Sequence, residues 1–287
     1  MAMTPIPSTR KISIGNVTVG GDSPLLVIAG PCVIESMEVL RVTAATLKEI
    51  TQRLKVGLVF KSSFDKANRT RLSGYRGPGL EKGMEILDII KNEFQIPVIS
   101  DIHETCQVKT AAQVVDCLQI PAFLARQTDL LVAAAQSGLP VNVKKAQYMA
   151  PIDMEYALQK MVDQPDFKGL CLCERGSTYG YHNLVVDMRS LVILRGFGWP
   201  VIFDATHSLQ LPSLSYGNTK SERQFVPALA RAAVAVGIDG IFLETHPDPS
   251  KALCDSASQW PLDQMENLLK SLLAIREAGN QYPSPLV

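Results

Sequence analysis

The sequence predicts an α/β fold, a single (β/α)8 TIM barrel over residues 1–287 with a short N-terminal β-hairpin at about 11–21. Two observations predict it. Eight short apolar runs alternate with amphipathic helical patterns along the chain. A polar or chargeable residue follows each run, as expected where parallel strands end at one mouth. An open doubly wound sheet competes with this reading, and the count and order of the runs favour closure.

Lys11–Gly21 alternates with period two around Gly15-Asn16, the signature of a tight hairpin. The strand candidates are Leu25–Ala29, Val56–Phe60, Pro97–Ser100, Cys117–Ile120, Val141–Val143, Gly169–Cys173, Val201–Phe203 and Gly240–Leu243. They are short, largely unalternating and often β-branched, as strands buried on both faces should be. Leu40, Leu47, Ile50 and Leu54 step at helical spacing after the first strand, and Leu80, Met84, Leu87, Ile90 and Phe94 do so after the second. A last stripe, Leu262, Met265, Leu269, Leu272 and Ile275, follows Pro261, a residue suited to a first helical turn. Gln210–Ser221 and Pro247–Trp260 are the longest stretches without helical pattern and are candidate lids.

Apolar residues make up 46% of the chain and charged residues 20%, ordinary values for a protein with a substantial core. The 28 basic residues balance 28 acidic ones, which argues against nucleic-acid or membrane-surface binding driven by bulk charge. Met1–Thr9 lacks the pattern of a signal peptide, and no early apolar stretch is long enough to span a bilayer. Six cysteines without a C-x-x-C pair suggest a reducing compartment. The expectation is a cytoplasmic protein.

The residues that end the strands carry the chemistry. In order they are Gly30-Pro31-Cys32, Lys61, Asp101 with His103, Gln119 leading to Arg126, Lys144-Lys145, Glu174-Arg175, Asp204 to His207, and Glu244 to His246. Strand ends ordinarily meet solvent, so one charge there means little. Eight in register, in a chain with four histidines, point to a site. Lys61–Arg76 holds five basic residues and one acidic one. With Arg126, Lys144 and Arg175 it suits a substrate bearing phosphate or carboxylate groups, although a solvated basic loop is the plainer alternative. Cys32, His207, Glu244 and Asp255 offer thiolate, imidazole and carboxylate, the donor types of a transition-metal site. Spacing alone leaves that open, because a lone Cys or His is more often structural. Cys106, Cys117, Cys171, Cys173 and Cys254 read as structural.

Ala29–Ser36 (AGPCVIES), Phe60–Arg69 (FKSSFDKANR), Tyr75–Gly79 (YRGPG), Pro121–Asp129 (PAFLARQTD), Asn142–Lys145 (NVKK), Cys173–Gly176 (CERG), Phe203–Gln210 (FDATHSLQ) and Glu244–Pro247 (ETHP) are distinctive segments. Together they resemble the 3-deoxy-D-manno-octulosonate 8-phosphate (KDO 8-phosphate) synthase family. The resemblance runs from about Ile12 to Leu272. It implies a homotetrameric barrel on the pathway to the lipopolysaccharide inner core, condensing phosphoenolpyruvate with D-arabinose 5-phosphate and water. Cys32 resembles the metal-requiring branch, where the metal-independent branch has Asn, and implies His207, Glu244 and Asp255 as the other ligands to a divalent ion of zinc, iron or manganese type.

By the same resemblance Lys61, Ser63, Lys66, Gln119, Lys144 and Arg175 would hold phosphoenolpyruvate. Asn68, Arg69 and Thr70 would bind the aldose phosphate with Arg126 of a neighbouring subunit, while Asp101 and Ser208 meet the sugar hydroxyls. Thr70 stands where Ser is usual and keeps the hydroxyl. The catalytic set is then Lys61, Lys66, Asp101, Lys144, His207 and Asp255, with His207 and Asp255 read first as ligands. The sister 3-deoxy-D-arabino-heptulosonate 7-phosphate synthase, acting on erythrose 4-phosphate, is the alternative. It usually has Lys-Pro-Arg-Thr where this chain has Lys66-Ala-Asn-Arg69. A non-catalytic sugar-phosphate-binding barrel would lack a ligand or cation, and none is missing.

Overall fold

The computed structural model describes residues 8–69, 71–179, 183–215 and 218–281. The expected hairpin forms from β1 (Ile12–Ile14) and β2 (Val17–Val19), paired antiparallel across Gly15-Asn16. Eight parallel strands follow: β3 (Leu26–Gly30), β4 (Gly57–Lys61), β5 (Val98–Asp101), β6 (Cys117–Ile120), β7 (Val141–Lys144), β8 (Leu170–Glu174), β11 (Val201–Asp204) and β14 (Gly240–His246). Each pairs with the next, and β14 pairs with both β11 and β3, so the sheet closes. The closed barrel is the predicted fold, and the open sheet is excluded.

Helices α1 (Met37–Leu54), α2 (Leu80–Phe94), α3 (Thr105–Ala111), α4 (Thr128–Ala135), α5 (Met154–Val162), α6 (Arg189–Arg195), α7 (Val226–Val236) and α8 (Met265–Gln281) alternate with the strands. The stripe read on α1 is the buried one: Leu40, Leu47 and Ile50 face the core. Ser36 caps that helix by accepting from the Val39 amide, and Lys55 ends it in a left-handed turn. Two ribbons lie at the mouth, β9 (Ser177–Thr178) with β10 (Leu184–Val185), and β12 (Gln210–Ser215) with β13 (Asn218–Ser221). The second replaces the expected irregular loop at Gln210–Ser221. Its Pro-containing, polar sequence carries no strand pattern, so only the hydrogen-bond register reveals it. Pro261 also differs: it ends β15 (Trp260–Pro261), a short addition to β14, and a 3-10 turn separates it from α8.

Cys117–Ile120 ends as predicted, and the other seven strands run one to three residues past their predicted ends, because the apolar pattern stops at a glycine or the first charge while the hydrogen-bond ladder does not. Lys61, Asp101, Lys144, Glu174, Asp204 and Glu244 are strand residues, all at most 7% exposed. A residue still in the ladder cannot swing freely, so the chemistry is presented from rigid positions. The hairpin closes the opposite end. Gly57 and Gly169 leave the room that Val17 and Ile12 occupy, since a Cβ at either would collide with them at 2.5 and 2.6 Å. Gly30 is required where β3 turns into the mouth: a Cβ there would lie 2.0 Å from the Lys61 carbonyl oxygen. No described helix is long and apolar enough to cross a membrane.

Candidate active site

A cavity of about 470 Å³ opens at the C-terminal end of the strands. Lys61, Lys66, Lys144 and Arg175 line it, facing Asp101, Glu244 and Asp255. So many charges on largely buried side chains survive only through pairing. Lys61 Nζ donates to Glu244 Oε1 at 2.9 Å and to the Cys32 carbonyl at 3.1 Å, and lies 3.8 Å from Asp101. Lys66 approaches Glu244 at 3.5 Å. Lys144 Nζ donates to Asp204 Oδ2 at 2.6 Å. Asp101 accepts from Ser63 and from Gln119, whose Oε1 accepts from Asn142 at 2.8 Å. This polar chain crosses β5, β6 and β7.

Electrostatics follow from that pairing. Burial works against the Glu244 charge, but Lys61, Lys66, His207 and Lys144 outweigh it and hold the carboxyl well below the usual range. Asp101 is held down in the same way, by Lys61, Lys66 and Lys144. Both are therefore fixed anions and poor general bases. Arg175 is the exception among the cations. It is 4% exposed, its Nη2 donates to Gln210 Oε1 at 3.0 Å, and its Nε and Nη1 are buried without a partner among the described residues. A guanidinium with two unspent donors, on a side chain that lines the cavity, suits an anion with planar or tetrahedral oxygens.

Next to the cations lies a group of metal-type donors. His207 Nε2 is 3.5 Å from Glu244 Oε1, and donor atoms of His207, Glu244 and Asp255 lie within 4.8 Å of one another. His207 Nδ1 is engaged by Asp204 Oδ2 at 2.7 Å, an arrangement that orients the ring and leaves Nε2 for a ligand. Glu244 Oε2 is buried with no partner among the described residues. Asp255 stands in the left-handed region at φ 46°, which Asp tolerates better than most residues.

A model of the DAHP synthetase I family matches residues 4–280. The chain belongs to this family. Curated relatives named 2-dehydro-3-deoxyphosphooctonate aldolase include a Syntrophotalea carbinolica protein, 53% identical over 94% of this chain and 96% of its own length. A Desulfotalea psychrophila protein of that name is 55% identical over 92% of this chain and 94% of its own length. One from Geobacter metallireducens is 55% identical over 93% of this chain and 98% of its own length. The family resemblance read from the motifs is borne out.

The structure gathers most of the predicted site residues, though not all. Lys61, Lys66, Asn68, Arg69, Asp101, Gln119, Lys144, Arg175, His207, Glu244 and Asp255 line the cavity. Ser63 does not; it sits behind Asp101 and donates to it. Ser208 is also buried away from the lining, and Arg126 is exposed outside it. Thr70 lies outside the described residues. Cys32, expected as a metal ligand, is fully buried and is not among the lining residues. Cys254, read as structural, lines the cavity instead and touches Cys32, sulfur to sulfur, at 2.9 Å.

Sequence reasoning also gave no role to Asp204 or Gln210. Asp204 pairs with Lys144 and His207 together, and Gln210 bridges Arg175 and Asp255. Asp204 had a signal in its place at a strand end, three residues before His207; Gln210 had only its place at the end of the Phe203–Gln210 motif.

Asp204 generates the first prediction. Burial opposes its charge, yet His207 and Lys144 hold it well below the ordinary carboxylate range. Its stabilising contribution is thus fully present above the unfolded value of about 3.9 and declines as pH falls through the folded value. Asp204→Asn should destabilise by about 3 kcal/mol at neutral pH, the low end for a broken buried pair because Lys144 faces a cavity. Urea unfolding at pH 7 and pH 3 should show that deficit shrinking in acid. A deficit independent of pH would mean that the charge of Asp204 is not what stabilises the fold.

Proposed function

We propose that this chain joins phosphoenolpyruvate to D-arabinose 5-phosphate and water, giving 3-deoxy-D-manno-octulosonate 8-phosphate and inorganic phosphate. The observation that carries this reading is the partnerless face of Arg175 among three lysines in one cavity, in a chain of this family. The activity named for the relatives agrees with it. Lys61 and Lys144 are partly neutralised by Glu244 and Asp204, so Arg175 is the natural partner for the enol phosphate. Asn68 and Arg69, at the cavity rim, are assigned to the aldose phosphate with Thr70.

The π electrons of the enol form the new bond from C3 to the aldehyde carbon, whose oxygen gains a proton and becomes a hydroxyl. Water adds to C2 and loses a proton. The tetrahedral carbon then expels phosphate by C–O cleavage, and its hydroxyl yields the ketone. Both substrates are anions, so the first contribution of Lys61, Lys66, Lys144 and Arg175 is to offset their repulsion and fix their approach. The second is a standing positive potential where the aldehyde oxygen becomes negative. Asp101 and Glu244 hold those ammonium groups in place.

A divalent ion of zinc, iron or manganese type fits the donors of Cys32, His207, Glu244 and Asp255. What supports it is the orphaned Glu244 Oε2, the Asp204-oriented His207 and the mixture of thiol, imidazole and carboxylate. When bound, such an ion supplies Lewis-acid polarisation of an oxygen at the mouth. With Nδ1 engaged by Asp204, His207 has only Nε2 to offer, so ligation takes the place of general-base work. A homotetramer in the cytoplasm belongs to the same reading. Its support is the exposed Arg126 beside exposed Phe123, and the absence of a membrane-crossing helix among the described residues.

The heptulosonate alternative is disfavoured by Ala67-Asn68. Phosphate release from phosphoenolpyruvate should therefore require arabinose 5-phosphate, and faster turnover with erythrose 4-phosphate would overturn the assignment. Arg175→Ala should lower kcat/KM by at least about 10–100-fold, the value of one charged hydrogen bond of about 1.5–3 kcal/mol. Wild-type kinetics in that variant would remove Arg175 from the site. Chelation should abolish turnover and an added transition metal restore it, whereas full activity of a metal-free preparation would refute the metal.

A further inference from the structure

Cys254 precedes Asp255 in the loop after β14, and nothing in the family resemblance gives it a task. The residue is 2% exposed and lines the cavity, and its sulfur lies 2.9 Å from the sulfur of Cys32. Donor atoms of Cys32, Cys254 and Asp255 lie within 4.8 Å of one another, a second triad that shares Asp255 with His207 and Glu244. The two cysteines and Val33 form a small apolar cluster apart from the main core. Packing alone does not explain why a thiol, rather than a methyl, stands at the wall of a charged cavity.

The backbone around the pair is unusually well held. Gln259, fully buried, accepts from the Cys32 amide at 3.2 Å and donates to the Cys254 carbonyl at 2.9 Å. One side chain thus ties the turn after β3 to the loop after β14. Asp255 takes φ 46° directly after the bend at Leu253-Cys254, and Cys254 and Asp255 both line the cavity.

We propose that Cys254 is a further metal donor, making the centre a two-thiolate site selective for thiophilic ions such as zinc. The proposal rests on the metal reading above and goes beyond its four ligands. Each thiol releases its proton to solvent and gives a sulfur lone pair to the ion. A second thiolate in place of an oxygen donor shifts preference away from manganese and magnesium.

The test is cobalt(II) titration of the full-length, reduced protein, followed by the near-ultraviolet thiolate-to-cobalt charge-transfer band. Wild type should show a band about halved in Cys254→Ser, about halved in Cys32→Ser and absent in the double variant. Zinc affinity, by competition with a chelating dye, should fall about tenfold or more in Cys254→Ser, since even residues that only orient ligands matter on that scale. Manganese affinity should change far less. A full band in Cys254→Ser with complete loss in Cys32→Ser would overturn this proposal and leave the four-ligand metal standing. No thiolate band in wild type would overturn the metal reading as well. Cys254→Ala, with circular dichroism of each variant, separates a lost donor from a lost fold.

Discussion

The ion pair of Lys61 with Glu244 is the constraint on which the mouth of this barrel depends. Glu244 lies near the end of the last barrel strand and Lys61 ends the second, and β3 lies between them, so their 2.9 Å contact spans the seam where the sheet closes. Neither has more than 1% exposure. Desolvating two charges costs several kcal/mol each, and one salt bridge rarely repays that. Here the remaining donors are also used, with Lys61 reaching the Cys32 carbonyl and Asp101. The arrangement is better understood as positioning than as stabilisation. It fixes a cation and an anion at known places in a cavity where mobile water would otherwise screen both.

From that pair the charges propagate in alternation. Asp101 answers Lys61, Gln119 and Asn142 carry the hydrogen bonds onward, and Lys144 is answered by Asp204, which also orients His207. Each cation is held by an anion too strongly ionised to act as a base, so the positive potential is present before any substrate arrives. Such preorganisation is the larger part of what a protein offers a reaction between two anions. Arg175 stands at the end of this series with two guanidinium nitrogens unspent, and there the balance of charge is left open to a ligand.

The barrel was legible because its strands are buried on both faces and short, a pattern few other folds produce. Seven of their eight ends were read one to three residues early, chiefly because a charge inside a closed barrel breaks an apolar run without breaking the ladder. Most residues that line the cavity fall in the quoted motifs, which carry residue type and order. What motifs do not carry is depth. Ser63 and Cys32 were expected at the surface of the cavity and lie one layer behind it, each touching the residue that does reach it. Cys254 and Gln210 were missed for a related reason. They sit in segments without periodicity, one at a bend and the other in a ribbon, and neither leaves a trace in spacing.

Asp255 joins the two halves of the site. His207 and Glu244 come from β11's end and β14, rigid in the ladder or next to it, whereas Cys32, Cys254 and Asp255 come from turns tied together by Gln259. Asp255 alone belongs to both donor triads. Its Oδ1 meets Arg69 at 3.4 Å and its Oδ2 accepts from Gln210, which in turn accepts from Arg175. The donor set is therefore connected, through one carboxylate, to the arginines assigned to each substrate phosphate. A change in what Asp255 binds alters the partners left for Arg69 and Gln210. An ion on either Asp255 oxygen would draw that oxygen from Arg69 or from Gln210 and leave those donors to an anion, so the two kinds of binding are linked through this carboxylate.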